Sequence, residues 1–191
     1  MVIGDSISVG AGNPLGGFRA FLLDDLQASG HWVTVGLAQD YCQNGQLTDG
    51  AAAGLAAVIA GRDDTQAPRW ILIGLGANDI PQVNNGTLTR ATWLASMGSL
   101  LDQLHAQWPD AQLRLSIPFH GAYPAAQDVF AGWVPDVFVG RESFAALGPD
   151  TRTFLPGNMG NGDTDPVHPA VAGQVLMSAN WTAQILSEEG Y

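Results

Sequence analysis

Apolar side chains recurring every three or four positions mark the helices of this chain. Phe18, Phe21, Leu22 and Leu26 share one helical face, and Gly30 supplies a stop signal. Trp93, Met97, Leu100, Leu101, Leu104 and Trp108 repeat at the same spacing and predict a helix over about residues 89–108. Pro169 is placed to open a last helix, whose Val171, Val175, Leu176, Ile185 and Leu186 are expected to face the core. The alanine-rich stretch 51–61 reads as a further helix. Short apolar runs at 1–3, 32–36, 69–74 and 113–117 predict strands, with a short fifth at 151–155. Residues 39–49 read as a polar loop. Between 123 and 147, Gly132 and Pro135 interrupt an otherwise apolar segment, which predicts a broken helix.

The run 69–74 is apolar on both faces, as in a parallel strand covered by helices on each side. Strands alternating with helices predict an α/β chain: a three-layer α/β/α sandwich with a five-stranded, mainly parallel sheet, forming a single domain over 1–191. A first strand of three residues reads as trimmed, so the natural protein is expected to extend upstream, with room there for a signal peptide. In open parallel sheets ligands gather beyond the C-terminal strand ends. Four polar segments occupy such places: Gly4-Asp5-Ser6, Asn44-Gly45, Gly76-Ala77-Asn78-Asp79 and Asp165-Pro166-Val167-His168.

Their order and content resemble the SGNH hydrolase superfamily, the GDSL esterases, from residue 4 through the closing helix. The resemblance implies a flavodoxin-like SGNH fold and a serine esterase. Ser6 would be the nucleophile and His168 its general base, because a serine hydroxyl is too weakly acidic to attack an ester unaided. Asp165 would hold the imidazole in one tautomer and stabilise the imidazolium. The oxyanion would be met by the backbone N–H of Ser6, the backbone N–H of Gly45 and the side-chain amide of Asn78. Gly36 and Gly50 compete with Gly45, which is preferred because Val35-Gly36 and Asn44-Gly45 resemble the second strand and glycine of the family's acetyl-xylan esterase branch. Asp79 is expected to partner the loop backbone, and Asp163 is a rival to Asp165 whose five-residue spacing to His168 fits the motif less well.

Other chemistries fit poorly. Asp79 stands where a dinucleotide fingerprint wants its third glycine and would repel a pyrophosphate. No Gly-x-Ser-x-Gly elbow and no His-Glu-x-x-His pair occurs, so neither an α/β-hydrolase esterase nor a zinc hydrolase is expected, and no cofactor or metal is implied. His31, His105 and His120 read as structural or exposed, although His120 and Phe119 follow the fourth strand and are placed to line a pocket. Of six tryptophans, Trp133 is the one placed to stack on a sugar or cover an acyl group.

Composition narrows the partners. The 191 residues carry 18 acids against 7 cations, all arginine, for a formal charge of −11 at pH 7. That charge disfavours nucleic acid and anionic membranes, and no apolar run approaches the ~20 residues of a membrane span. The lack of lysine removes a Ser-Lys dyad, and Cys42 alone cannot form an internal disulfide. The expected substrate is a small or carbohydrate ester carrying a short acyl group, acetyl above all. A broad lipase or arylesterase, an acyltransferase using the same triad and a non-catalytic carbohydrate-binding domain are the alternatives. Oligomeric state stays open, as does the compartment, with an extracellular or periplasmic one favoured.

Overall fold

The computed structural model describes residues 1–11, 15, 17–30, 41–42, 45–60, 67–160 and 165–191. Strands β1 (Val2–Gly4), β2 (Tyr41–Cys42), β3 (Trp70–Gly74), β4 (Gln112–Ile117) and β5 (Ala145–Asp150) pair in parallel in the order β2-β1-β3-β4-β5. Between and after them run α1 (Ser6–Val9), α2 (Phe18–Ala28), α3 (Thr48–Ala60), α4 (Ile80–Asn84), α5 (Arg90–Gln107), α6 (Pro124–Trp133) and α7 (Val171–Glu189). The period-two alternation of the strands splits the core into two faces. Ile3, Ile71, Ile73, Leu113 and Leu115 pack with α5 and α6. Val2, Trp70 and Leu72 point the other way and pack with α2 and α7. This is the three-layer α/β/α arrangement that the alternating pattern predicts.

The long helices form where the apolar periodicity places them. Phe18, Leu22 and Leu26 are buried along α2, and Thr89 caps α5 by accepting the Thr92 N–H. Residues 134–138 continue α6 as a 3-10 turn containing Pro135, the interruption expected in that segment.

Three elements differ from the sequence expectations. The predicted strand 32–36 lies outside the described residues, while β2 falls within the expected loop; two residues at a sheet edge carry no alternation to read. The fifth strand runs over Ala145–Asp150, and Thr151–Thr153 forms a 3-10 turn instead of the strand predicted at 151–155. Glycine, with little β-propensity, is needed at position 148 of β5 because Trp181 of α7 lies against it: a Cβ there would sit 2.4 Å from the Trp181 ring. In α7, Val171 and Val175 are exposed, and the buried face is Gly173, Gln174, Met177, Ser178, Trp181 and Ile185. Pro169 precedes the helix and bridges to Met159, with Ala170 as the N-cap. Ile185 faces the core as expected, but in the first turns Gly173 and Gln174 take the inward positions: a Cβ on Gly173 would sit 2.5 Å from the Asn158 carbonyl, and Gln174 reaches the Ile7 carbonyl. Ser178 Oγ donates to Asp25 Oδ2 of α2 at 2.5 Å.

Gly148→Ala should therefore lower unfolding stability by about 1–3 kcal/mol through overpacking against Trp181, measured by urea denaturation.

Candidate active site

The β1–β3 register aligns Gly4 with Gly74, so the segments that follow each strand emerge side by side at one sheet edge. After β1 the chain turns at once into α1. Asp5 caps this helix, its Oδ1 accepting the Ile7 N–H at 3.0 Å. Ser6 occupies the first helical position and is 7% exposed. After β3, Gly76 adopts φ +113°, a conformation open to glycine, and a Cβ there would lie 2.8 Å from the Phe130 ring. That turn delivers Asn78, whose Nδ2 donates to the Gln46 carbonyl at 3.2 Å and to Asp5 Oδ2 at 3.3 Å.

The segment before α7 completes the cluster. Asp165 Oδ1 accepts the backbone N–H groups of Val167 and His168, both at 3.0 Å, while its Oδ2 lies 2.9 Å from His168 Nδ1. His168 Nε2 lies 3.0 Å from Ser6 Oγ, across 162 residues of sequence. The loop is fastened from outside as well, since Gly121 N donates to Pro166 O at 3.0 Å and Gly160 N to His168 O at 2.6 Å. Partial burial raises the Asp165 pKa, but the N–H groups of His168 and Val167 and the His168 ring outweigh it, leaving the carboxyl below its ordinary value.

Of the residues marked by sequence, Ser6, Asn78, Asp165 and His168 are thus joined directly or through Asp5. Gly45 is exposed with φ +70° and immediately precedes Gln46, whose carbonyl Asn78 holds. Gly50 lies in the first turn of α3, and Gly36, Asn44 and Asp163 lie outside the described residues. Asp79 faces the backbone, taking the Thr48 N–H at 3.3 Å and the Thr48 hydroxyl at 2.9 Å. It thereby satisfies a donor that the start of α3 would leave unpaired. Trp93 Nε1 donates to the same hydroxyl at 3.2 Å, a polar role hidden within an apolar stripe. The Thr48-Asp49 start of the alanine-rich helix is the capping signal that locates this cluster in the sequence.

The other histidines and the candidate tryptophan are placed differently. His105 stacks on Phe144 with ring centroids 3.8 Å apart. His120 is 5% exposed, and burial, with a smaller contribution from nearby His168, lowers its pKa. Phe119 lines a cavity of about 20 Å³ beside Asp5 and Ser8. Trp133 packs against Phe130 and the core, and His31 lies outside the described residues.

Two buried carboxyls sit beneath the cluster. Burial lifts Asp5 to about 7 against the pull of the Ile7 N–H, and neighbouring Asp79 pushes the same way. Burial lifts Asp79 to about 6 despite its bonds from Thr48. Both groups bind a proton more tightly folded than unfolded. Their contribution to stability is therefore complete below the ordinary value of 3.8 and is lost as pH rises through about 6 and about 7. Asp79→Asn should flatten the fall in Tm between pH 3.8 and about 6, read from thermal melts across that range.

Comparison with known proteins bears on the fold and the family. No curated protein sequence matches the chain. Among solved structures, the protein TesA is 25% identical with a TM-score of 0.75, the match covering 98% of this chain and 97% of that one. The psychrotrophic esterase EstA from Pseudoalteromonas sp., solved inhibited by monoethylphosphonate, is 19% identical with a TM-score of 0.75, covering 100% and 97%. An acetylxylan esterase from Geobacillus stearothermophilus is 20% identical with a TM-score of 0.68, covering 100% and 93%. The profile of the GDSL-like lipase/acylhydrolase family matches residues 2–176, and the chain belongs to that family.

Proposed function

We propose that residues 1–191 form one catalytic domain, a serine esterase that removes a short acyl group, acetyl in the first instance, through an acyl-enzyme. The observation that carries this reading is the continuous relay from Ser6 Oγ to His168 Nε2 at 3.0 Å and from His168 Nδ1 to Asp165 Oδ2 at 2.9 Å. Ser6 Oγ attacks the ester carbonyl carbon while His168 Nε2 takes its proton. Collapse of the tetrahedral intermediate expels the alcohol, which receives that proton from His168, and water repeats the sequence to release the acid. Asp165, ionised and tied to the backbone on its other oxygen, keeps the proton on Nδ1 and offsets the positive charge that develops on the ring.

For the oxyanion, the Ser6 N–H lies in the first turn of α1, where a helix leaves its donors unpaired. Asn78 would exchange one of its two long hydrogen bonds, 3.2 and 3.3 Å, for a bond to the developing charge. Gly45 would supply the third donor from the adjoining loop. Of the seven arginines, Arg69, Arg90, Arg114, Arg141 and Arg152 are all paired with carboxylates, so the excess negative charge stands uncompensated. That favours a neutral acetylated polysaccharide, such as xylan, or a small acetyl ester over a polyuronic acid.

Hydrolysis of nitrophenyl esters of increasing chain length should be fastest for acetyl, and Ser6→Ala should abolish it. A rate that rises with chain length would make the enzyme a lipase, and acyl transfer dominating over hydrolysis when an acceptor alcohol is added would make it a transferase. Asn78→Ala should lower kcat by ~100 to 1000-fold with Ser6 and His168 intact.

A further inference from the structure

We infer that Gln174 is a positioning residue that holds the turn carrying Ser6 in register with His168, an inference that rests on the triad reading above. Gln174 lies in the first turns of α7, six residues after His168, and is fully buried. Its Nε2 donates to the Ile7 carbonyl at 3.1 Å, across 167 residues of sequence. Its Oε1 is buried without a hydrogen-bond partner among the described residues.

The local energetics argue against a packing role. An apolar side chain of similar volume would fill the site without burying an unpaired acceptor, so stability alone does not select glutamine here. The donor is what an apolar residue would lose. Helix α1 has four residues, far below the length at which a helix sustains itself, and its geometry depends on external support. That support converges on Ile7, the neighbour of the nucleophile. Asp5 Oδ1 holds its N–H at 3.0 Å, and its carbonyl accepts Gln174 Nε2 beside the Gly10 N–H at 3.2 Å, so Gln174 is the one bond from outside the turn among those named.

The other end of the link is equally fixed. His168 O accepts from Gly160, and Ala170 N donates to Asn158 O at 2.9 Å just before α7 begins, so the base and the first turns of the helix move together. Gln174 therefore ties the element bearing the base to the element bearing the nucleophile. A shift of either by about 1 Å would break the Ser6–His168 geometry, and misplacement on that scale costs up to ~100-fold in rate.

Gln174→Met and Gln174→Glu separate positioning from packing. Rates on a nitrophenyl acetate series are normalised to sites titrated by a phosphonate that labels the active serine, so partial unfolding does not enter kcat. The methionine variant should lose ~10 to 100-fold in kcat with KM within about threefold of the parent. The glutamate variant, protonated when buried, can still donate to the Ile7 carbonyl. Its rate relative to the parent should approach one at low pH and fall as the carboxyl ionises, while the methionine ratio stays flat. Parental kcat in the methionine variant, or equal losses in both variants at every pH, would overturn the inference. If the methionine variant yields no titratable sites, a glutamate ratio independent of pH overturns it instead. Ser6→Ala, assayed alongside, keeps the two readings apart. An inactive alanine variant leaves the triad standing whatever Gln174 does, and an active one removes the triad reading itself.

Discussion

A parallel sheet brings all its strand ends to one edge, and in this chain Ser6 and Asn78 of the candidate site depend on that delivery. Gly4, Cys42 and Gly74 lie in register across β2, β1 and β3. The turns that follow them therefore start level with one another, close enough for Asn78 to reach both Asp5 and the Gln46 carbonyl. The last segment, 165–168, enters the same edge from the start of α7. A slip of one residue between β1 and β3 would move Asp5 and Asn78 apart and reverse which side chains face each helical layer.

Closeness of this kind has an electrostatic cost. Asp5 and Asp79 are almost wholly buried, within reach of each other's charge, and both sit above the ordinary carboxylate range. Each nevertheless satisfies backbone donors at the start of a helix, Asp5 for α1 and Asp79 for α3. The two acids order the loops around Ser6 and Asn78 at some expense in stability at neutral pH. Asp165 is the contrasting case. Its shallower burial, two backbone N–H bonds and the His168 ring hold its carboxyl below the ordinary value.

The legible parts of the fold were those in which hydrophobic burial alone sets the pattern. Helices α2 and α5 and strands β3 and β4 carry enough periodic residues for their type and core face to be read directly. Strand β5 hides because Gly148 must fit under Trp181, a demand that arises only after α7 docks, and Pro149 follows it within the strand. The inward face of α7 hides for the same reason. Its interface mixes Met177, Trp181 and Ile185 with Gly173, Gln174 and Ser178, while Val171 and Val175 face solvent, so apolar residues alone do not trace it. At the candidate site, the resemblance marked Ser6, Asn78, Asp165 and His168, which the fold links directly or through Asp5. It could not reveal that Trp93 and Thr48 share a hydrogen bond with the Asp79 cluster, since that link joins three separate elements.

Helix α7 also bears on the order in which this molecule becomes itself. Ser6 leaves the ribosome more than 160 positions ahead of His168 and Gln174. The Ser6 turn must therefore wait, held by its Asp5 and Gly10 caps, until the final helix settles against α2 and the sheet. Ester hydrolysis during refolding would report that last docking event rather than the earlier formation of the sheet, and the interval between the two signals would time the closing step of assembly.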